Sequence, residues 1–265
     1  MKLIASGATA DIFLNNDNTL VKLFKAGYSK ETVQIEANNQ RIVFEKSIPT
    51  PEVYDLIEFN GRHGIVMEHI KGISLGEKFL KSNNYLNGVT VNRDSIKISE
   101  EIIYYFSLII DLQMKVNSIR LETYPLMKNK LARDINAANY LDYSKKKTLL
   151  DKLEKLEFKN NLCHGDFRLY NLIETENGIK IIDWADSTIG NMEADIYRSY
   201  FIYWIHHPEI GNEYLKMYCS KANLEKEKIL EYEPILMAAR LSENVSDWER
   251  DKIVRALSNK PSNFP

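Results

Sequence analysis

Asp166, Asn171 and Asp183 are the residues of this chain whose types and spacing could do chemistry. They lie in the run Cys163-His164-Gly165-Asp166-Phe167-Arg168-Leu169-Tyr170-Asn171-Leu172-Ile173 and, shortly after it, in Ile181-Ile182-Asp183-Trp184. The first run reads as a short loop and the second as a strand ending in a carboxylate. An amide oxygen and a carboxylate are hard donors of the kind magnesium takes, and because that ion keeps several waters, nucleotide phosphates can complete its shell without a cage of protein ligands. Asn171 and Asp183 are the metal candidates. A cysteine hydrolase built on Cys163 and His164 is disfavoured, because neighbours in extended chain point to opposite faces and cannot form a thiolate-imidazole pair.

His164-Gly165-Asp166, an Asn five positions after the Asp, and Ile182-Asp183-Trp184 together resemble the aminoglycoside phosphotransferase and choline kinase-like family. A eukaryotic protein kinase would carry His-Arg-Asp and Asp-Phe-Gly at these places, so the resemblance is to the small-molecule branch. It implies an α+β, protein-kinase-like two-lobed fold. A five-stranded antiparallel sheet with one helix would occupy residues 1–70 and bind nucleotide, and a mainly helical lobe would occupy 71–265 with the catalytic loop and acceptor site. By the same resemblance Asp166 orients an alcohol and accepts its proton, Asn171 and Asp183 hold Mg2+, and ATP or GTP is the phosphate donor. Arg168 departs from the pattern: many members of this branch carry a histidine or a non-basic residue there, and protein kinases a lysine. A forked contact to the transferring phosphate is one role for it, and a salt bridge that only fixes the loop is the other.

The upstream chain has to position these groups. From Lys2 to Phe24 short β-type runs alternate with turn residues, and Asn15-Asn16-Asp17-Asn18 reverses the chain between the second run and the third. Ser6-Gly7-Ala8-Thr9-Ala10 could cover phosphates, since small residues let backbone amides approach and the Ser6 or Thr9 hydroxyl adds a donor. With Gly7 its only glycine, this stretch reads equally as an ordinary hairpin turn. Lys22 lies on the alternating strand Val21-Lys22-Leu23-Phe24, where a lysine commonly points to solvent. Glu36 on the following helix, Lys30 to about Phe44 with Ser29 as N-cap, offers it a partner. The resemblance gives Lys22 the phosphate contact and Glu36 its orientation. Glu31 competes as a partner but sits in the first helical turn, where the helix dipole favours an acid in any case.

Ile48-Pro49-Thr50-Pro51 ends that helix. Glu52 to Phe59 and Arg62 to Glu68 form a hairpin closed by Asn60-Gly61. In the connecting stretch Met67-Glu68-His69-Ile70-Lys71-Gly72, the resemblance implies that main-chain groups of Glu68 to Ile70 bind the purine while Met67 lines the back of its pocket. His69 is expected to face solvent.

Downstream the pattern turns helical. Ser74-Leu75-Gly76-Glu77 and Ser246-Asp247-Trp248-Glu249 have capping-box form. Tyr85 to Ile98 reads as an irregular surface stretch. Ser99 caps a long helix to about Ile119 with an apolar face that includes Ile102, Phe106, Ile109 and Leu112. Helical stretches around Lys128 to Tyr143 and Lys145 to Leu156 follow, then a turn over Asp186 to Asn191 and an apolar helix from Glu193 to Ile205. Asp195 in the first turn of that helix could accept amide hydrogen bonds or brace the catalytic loop. His206-His207-Pro208 reads as a helix ending before proline and not as a zinc site.

Composition limits the partners. The 265 residues are 44% hydrophobic and 11% aromatic, enough for a sizeable core, and 35 Lys and Arg against 37 Asp and Glu leave a formal charge of -2. That balance gives no basic excess for nucleic acid or a membrane surface. No stretch has the length of a membrane span, and Met1-Lys2-Leu3-Ile4-Ala5 is too short in its apolar part for a signal peptide. Two cysteines, Cys163 and Cys219, make no disulfide framework in such a chain. The expectation is a cytoplasmic monomer acting on nucleotide and a small alcohol. An aminoglycoside would suit acids at Asp186, Glu193, Glu243 or Asp247, with antibiotic resistance as the consequence. Choline, ethanolamine, a sugar, homoserine or another antibiotic stay open, as does a nucleotide-binding pseudokinase without turnover.

Overall fold

The computed structural model describes residues 1–82 and 98–259. In chain order the elements are β1 (Lys2–Ser6), β2 (Ala10–Asn16), β3 (Thr19–Phe24), α1 (Lys30–Glu45), β4 (Val53–Phe59), β5 (Arg62–Glu68), β6 (Ile73–Ser74) and α2 (Leu75–Ser82). Then follow α3 (Glu100–Asn117), α4 (Met127–Ala137), α5 (Tyr143–Lys155), β7 (Asn161–Cys163), a 3-10 turn at Leu169–Asn171, β8 (Leu172–Thr175), β9 (Gly178–Ile181) and β10 (Thr188–Gly190). The rest is α6 (Met192–Trp204), α7 (Pro208–Ala222), α8 (Lys226–Leu230), α9 (Glu233–Arg240) and α10 (Asp247–Asn259). The fold is the expected α+β arrangement, with a five-stranded antiparallel sheet near the N-terminus followed by helices.

The elements gather into two compact units. One comprises Met1–Val91 and Arg168–Asp186, the other Asn92–Phe167 and Ser187–Pro265. In the first unit the strand order is β1-β2-β3-β5-β4. Alternation in β3 explains its placement: Val21 and Leu23 are buried, and Val21 pairs with Phe13 and Val66 on either side. Helix α1 closes one face, contributing Val33 and Ala37 to an apolar cluster with Ala10, Phe24, Val53 and Ile65. Its N-cap is Ser29, whose side chain accepts from Thr32 N–H at 3.3 Å. The Asn60-Gly61 reversal has φ of 51° and 71°, the left-handed pair that matches the twist of a two-residue hairpin. Sheet β6-β8-β9 belongs to the same unit, and α2 begins beside it where Ser74 Oγ accepts from Glu77 N–H at 3.1 Å.

In the second unit α3 buries Ile102, Phe106 and Ile109, with Leu112 half-buried, and Ser99 caps it through Ile102 N–H at 3.3 Å. Tyr105 is buried while Tyr104 is exposed, as core packing and surface anchoring require. The apolar helix expected over Glu193 to Ile205 is α6, with Ile196, Tyr197 and Phe201 buried. Its end falls before Pro208, which opens α7, and His206 stacks on Trp248 at 5.4 Å. Two expectations fail: the helix expected to about Tyr143 ends at Ala137, and Asp186 to Asn191 is not simply a turn. Thr188–Gly190 is a strand that pairs antiparallel with β7, Thr188 against Cys163 and Gly190 against Asn161. A three-residue strand carries too little periodicity to be read from sequence, and its partner lies far away along the chain. The stretch Tyr85 to Ile98 lies, Ile98 apart, outside the described residues.

Where α6 and α7 cross, a β-carbon on Gly211 would stand 2.6 Å from Trp204 Cα and 2.7 Å from its backbone nitrogen. Backbone cannot swing aside as a flexible side chain can, so Gly211→Ala should destabilise the protein by about 1–3 kcal/mol. A chemical denaturation midpoint equal to that of the parent protein would refute this.

Candidate active site

Lys22 stands on β3 opposite Ile12 of β2 and Ile65 of β5, in the body of the sheet. Its Nζ lies 2.6 Å from Glu36 Oε1 on α1 and 3.1 Å from Asp183 Oδ1. The structure therefore joins Lys22 to Glu36 and not to Glu31, and adds Asp183, 161 residues away along the chain. The pair is well buried, with side-chain exposures of 14% and 11%. Burial by itself would lower the Lys22 pKa, but the Asp183 and Glu36 carboxylates outweigh it and hold the ammonium above its ordinary value. Burial pushes Glu36 up, against the opposing charge of Lys22.

Asp183 follows β9 and has φ of 65°, a left-handed conformation that a non-glycine residue holds only where its surroundings impose it. Next to it Trp184 is fully buried and donates from Nε1 to Ile181 C=O at 3.2 Å, closing the turn. Asn171 is buried at the end of the 3-10 turn. Its N–H donates to Arg168 C=O at 2.9 Å and its C=O accepts from Ile182 N–H at 2.9 Å. That second bond ties the backbone of Asn171 to the residue before Asp183, so β8 and β9 bring the two metal candidates to adjacent places. Arg168 is half-buried, in extended backbone just before the 3-10 turn.

Asp166 belongs to the second unit, on the loop that leaves β7. It is half-buried, and its N–H donates to His164 Nδ1 at 3.3 Å. His164 is fully buried and packs edge-on against buried Phe167 with ring centroids 5.3 Å apart. Asp195, on α6, accepts from Gly165 N–H at 2.8 Å through Oδ1 and from Gln113 and Asn117 side chains at 3.1 and 3.0 Å through Oδ2. Its carboxylate braces the loop through the residue before Asp166. Cys163 is fully buried, and desolvation pushes its thiol well up, with Asp195 and Glu193 adding to the effect. Such a sulfur is no thiolate nucleophile.

The turn from Ser6 to Ala10 is a hairpin in which Gly7 N–H donates to Ala10 C=O at 2.9 Å, with Gly7 and Thr9 exposed. Ser6 Oγ donates to Asp11 Oδ1 at 2.7 Å, which commits its proton. Sequence reading missed the group beneath it. Asp11 takes Lys25 on one oxygen and Arg62 on the other, the latter at 2.7 Å, while Arg62 also bonds the carbonyls of Phe24 and Leu23 at 2.6 and 2.9 Å. These partners, Lys25 first, then Ser6 and Arg62, hold the Asp11 carboxyl well below the usual range. No local pattern marks three residues this far apart along the chain.

In the connecting stretch, Glu68 N–H donates to Glu52 C=O and His69 N–H to Asn18 C=O, both at 2.8 Å. Of the main-chain groups in Glu68 to Ile70, the first two amides are thus engaged within the unit. His69 Nδ1 is 3.1 Å from Asp17 C=O, and Met67 packs against the apolar cluster of the sheet.

Residues 120–230 match the model of the phosphotransferase enzyme family. No curated protein matches the chain in sequence. Among solved structures, a ternary complex of aminoglycoside phosphotransferase APH(4)-Ia with ADP and hygromycin B is 11% identical, with a TM-score of 0.63 over 97% of this chain and 90% of that one. A putative fructosamine-3-kinase from Haemophilus somnus 129PT is 15% identical, also at 0.63, over 97% and 90%. Aminoglycoside phosphotransferase APH(3'')-Id from Streptomyces rimosus is 15% identical at 0.58 over 87% and 91%. The chain thus shares the fold of these proteins, and the resemblance to the aminoglycoside phosphotransferase-like family is borne out.

Proposed function

We propose that this protein transfers the γ-phosphate of ATP to a hydroxyl of a small molecule in the cytoplasm, as a monomer, with residues 1–70 binding nucleotide and 71–265 carrying the catalytic loop and acceptor site. The observation that carries the reading is the buried Lys22 ammonium shared by Glu36 and Asp183, with Asn171 bonded to the residue beside Asp183. Phosphoryl transfer lowers its barrier mainly through positioning and charge, and a cation held by Glu36 beside the Asp183 carboxylate favours both. Solved neighbours that contain ADP support an adenine nucleotide over GTP.

In this reading Lys22, aimed by Glu36, holds the α- and β-phosphates, which compete with Asp183 for the ammonium. Asn171 and Asp183 have the donor chemistry magnesium prefers, and the ion bound there would set positive charge against the phosphates. Gly7 and Thr9 cover the phosphates from the hairpin whose Ser6 is fixed on Asp11. Met67, Glu68 C=O and Ile70 N–H meet the base. Asp166 orients the acceptor hydroxyl and takes its proton, and Arg168 offers a forked contact to the group in transfer.

An aminoglycoside is one acceptor, and the neighbours that bind hygromycin B and streptomycin keep it in view. A second reading, a neutral alcohol such as a sugar, has a specific observation behind it. Of the acids named for a polycation, Asp186 apart, Glu243 pairs with Arg198 and Arg240, Asp247 with Arg250 and Glu193 with Lys159, so these three offer a polycation less than their number suggests. Incubating the protein with ATP, Mg2+ and a panel of aminoglycosides, amino alcohols and sugars, then reading products by mass, decides between them. A phosphorylated alcohol is expected. Modification of a sugar with no aminoglycoside modified would remove the antibiotic reading, and no product or ADP from any mixture would leave a pseudokinase.

A further inference from the structure

Gly165 is the residue through which the loop approaches Asp166, and α6 grips both of its backbone polar groups. Its N–H donates to Asp195 Oδ1 at 2.8 Å, and its C=O accepts from Arg198 Nε at 3.3 Å. Asp195 and Arg198 are three residues apart, so they rise on the same side of the helix. Gly165 has φ of 82°, which a side chain would strain, so the chain is free to turn there and needs something to stop it turning further.

The two grips act on different peptide planes. The N–H belongs to the plane joining His164 and Gly165, and the C=O to the plane joining Gly165 and Asp166. That second plane is also held at its other edge, where Asp166 N–H donates to His164 Nδ1 at 3.3 Å. Arg198 and His164 therefore pin opposite edges of the peptide that sets the direction of the Asp166 side chain.

Arg198 is itself fixed. Its Nη2 meets the two Glu243 oxygens at 2.9 and 3.1 Å, and Glu243 also accepts from Arg240. Arg240 in turn makes a forked contact to Glu249 at 2.7 and 3.2 Å. Side-chain exposure is 11% for Arg198 and 7% for Glu249, against 38% for Glu243. Only the middle of this chain of ion pairs is open to solvent, and a planar guanidinium is the group that can bond a carbonyl through Nε while its other nitrogens engage a carboxylate.

We propose that Arg198 is a positioning residue for Asp166, with Glu243 and Arg240 orienting its guanidinium, so that the segment from residue 240 to 249 sets the peptide that precedes Asp166. This rests on the reading of Asp166 as the group that takes the acceptor proton. Arg198→Gln and Arg198→Lys in the full chain test it, through amide exchange of peptides covering 163–167, nucleotide affinity and ATP turnover, with water as acceptor if no other is known. For Arg198→Gln, exchange at Gly165 and Asp166 should rise about tenfold, with α1 unchanged. Turnover number should fall roughly tenfold with the KM for ATP held within about twofold, and Arg198→Lys, which keeps charge but not the fork, should lie between.

Glu243→Gln should shift both readouts the same way by less, and it serves where Arg198→Gln does not fold. Unchanged exchange over 163–167 in a folded Arg198 variant overturns the proposal, as does exchange that rises along all of α6 with turnover number intact. Asp166→Asn separates the two claims. If that variant loses turnover while Arg198→Gln keeps it, the positioning role is gone and the reading of Asp166 stands. If Asp166→Asn turns over normally, the reading of Asp166 fails and with it the functional half of this proposal.

Discussion

Asp166→Asn is expected to cut phosphoryl transfer by about a hundred- to ten-thousandfold, the span a positioned general base contributes. The amide is nearly the same size and keeps a hydrogen-bonding oxygen, so the loop that His164, Asp195 and Arg198 hold should survive. What the variant loses is a group able to receive a proton. In the proposed reading nucleotide binding draws on Lys22, Asn171 and Asp183, so the affinity for ATP should stay within about threefold of the parent, under ~1 kcal/mol. Rapid-mix turnover with the acceptor found by mass screening, alongside a nucleotide titration, gives both numbers. A turnover number within tenfold of the parent would remove Asp166 from the chemistry.

Lys22→Met should have the second-largest effect, and on two properties at once. Removing one preorganised cation from a phosphate site costs about a hundred- to a thousandfold in catalytic efficiency. The same change leaves Glu36, 11% exposed at its side chain, without its ammonium. Breaking a buried pair at one partner costs about 3–5 kcal/mol, and the residual exposure places this case toward the lower end.

The deficit should depend on pH with a definite sign. In the intact protein burial already raises the Glu36 pKa while Lys22 opposes the rise. Without Lys22 the folded value moves further above the unfolded one, near ~4.3. Between those values the folded state binds more protons than the unfolded state, so stability falls as pH rises. The gap between variant and parent is therefore widest near neutrality and narrows as pH drops toward the unfolded value. Urea denaturation at about pH 5 and pH 7.5 would measure it. A gap independent of pH, or one that Glu36→Gln in the Lys22→Met background does not narrow at neutral pH, would show that Glu36 is not the group left stranded.

Local signals account for most of the frame. The five strands and α1 were legible because alternation in Val21-Lys22-Leu23-Phe24, the prolines at 49 and 51 and the Asn60-Gly61 pair act over a few residues and do not depend on partners. The N-caps Ser29 and Ser99 and the capping boxes at Ser74 and Ser246 were readable for the same reason, each being a bond between residues three apart. Asn171 and Asp183 were legible as a pair because a 3-10 turn and a short hairpin act over a few residues, and they bond the backbone of one to the residue before the other.

Tertiary structure alone decided which partners those groups take. That Asp183 lies against Lys22, that β10 is a strand because β7 is beside it, that the Glu68 and His69 amides are engaged by Glu52 and Asn18, and that Asp11 gathers Lys25 and Arg62 are all contacts between distant parts of the chain. The ion pairs running from Gly165 through Arg198 and Glu243 to Arg240 and Glu249 are of the same kind. Periodicity and turn chemistry tell which face of an element is buried, whereas the choice of a charged partner depends on which elements meet and at what register, and that is set only when the core has packed.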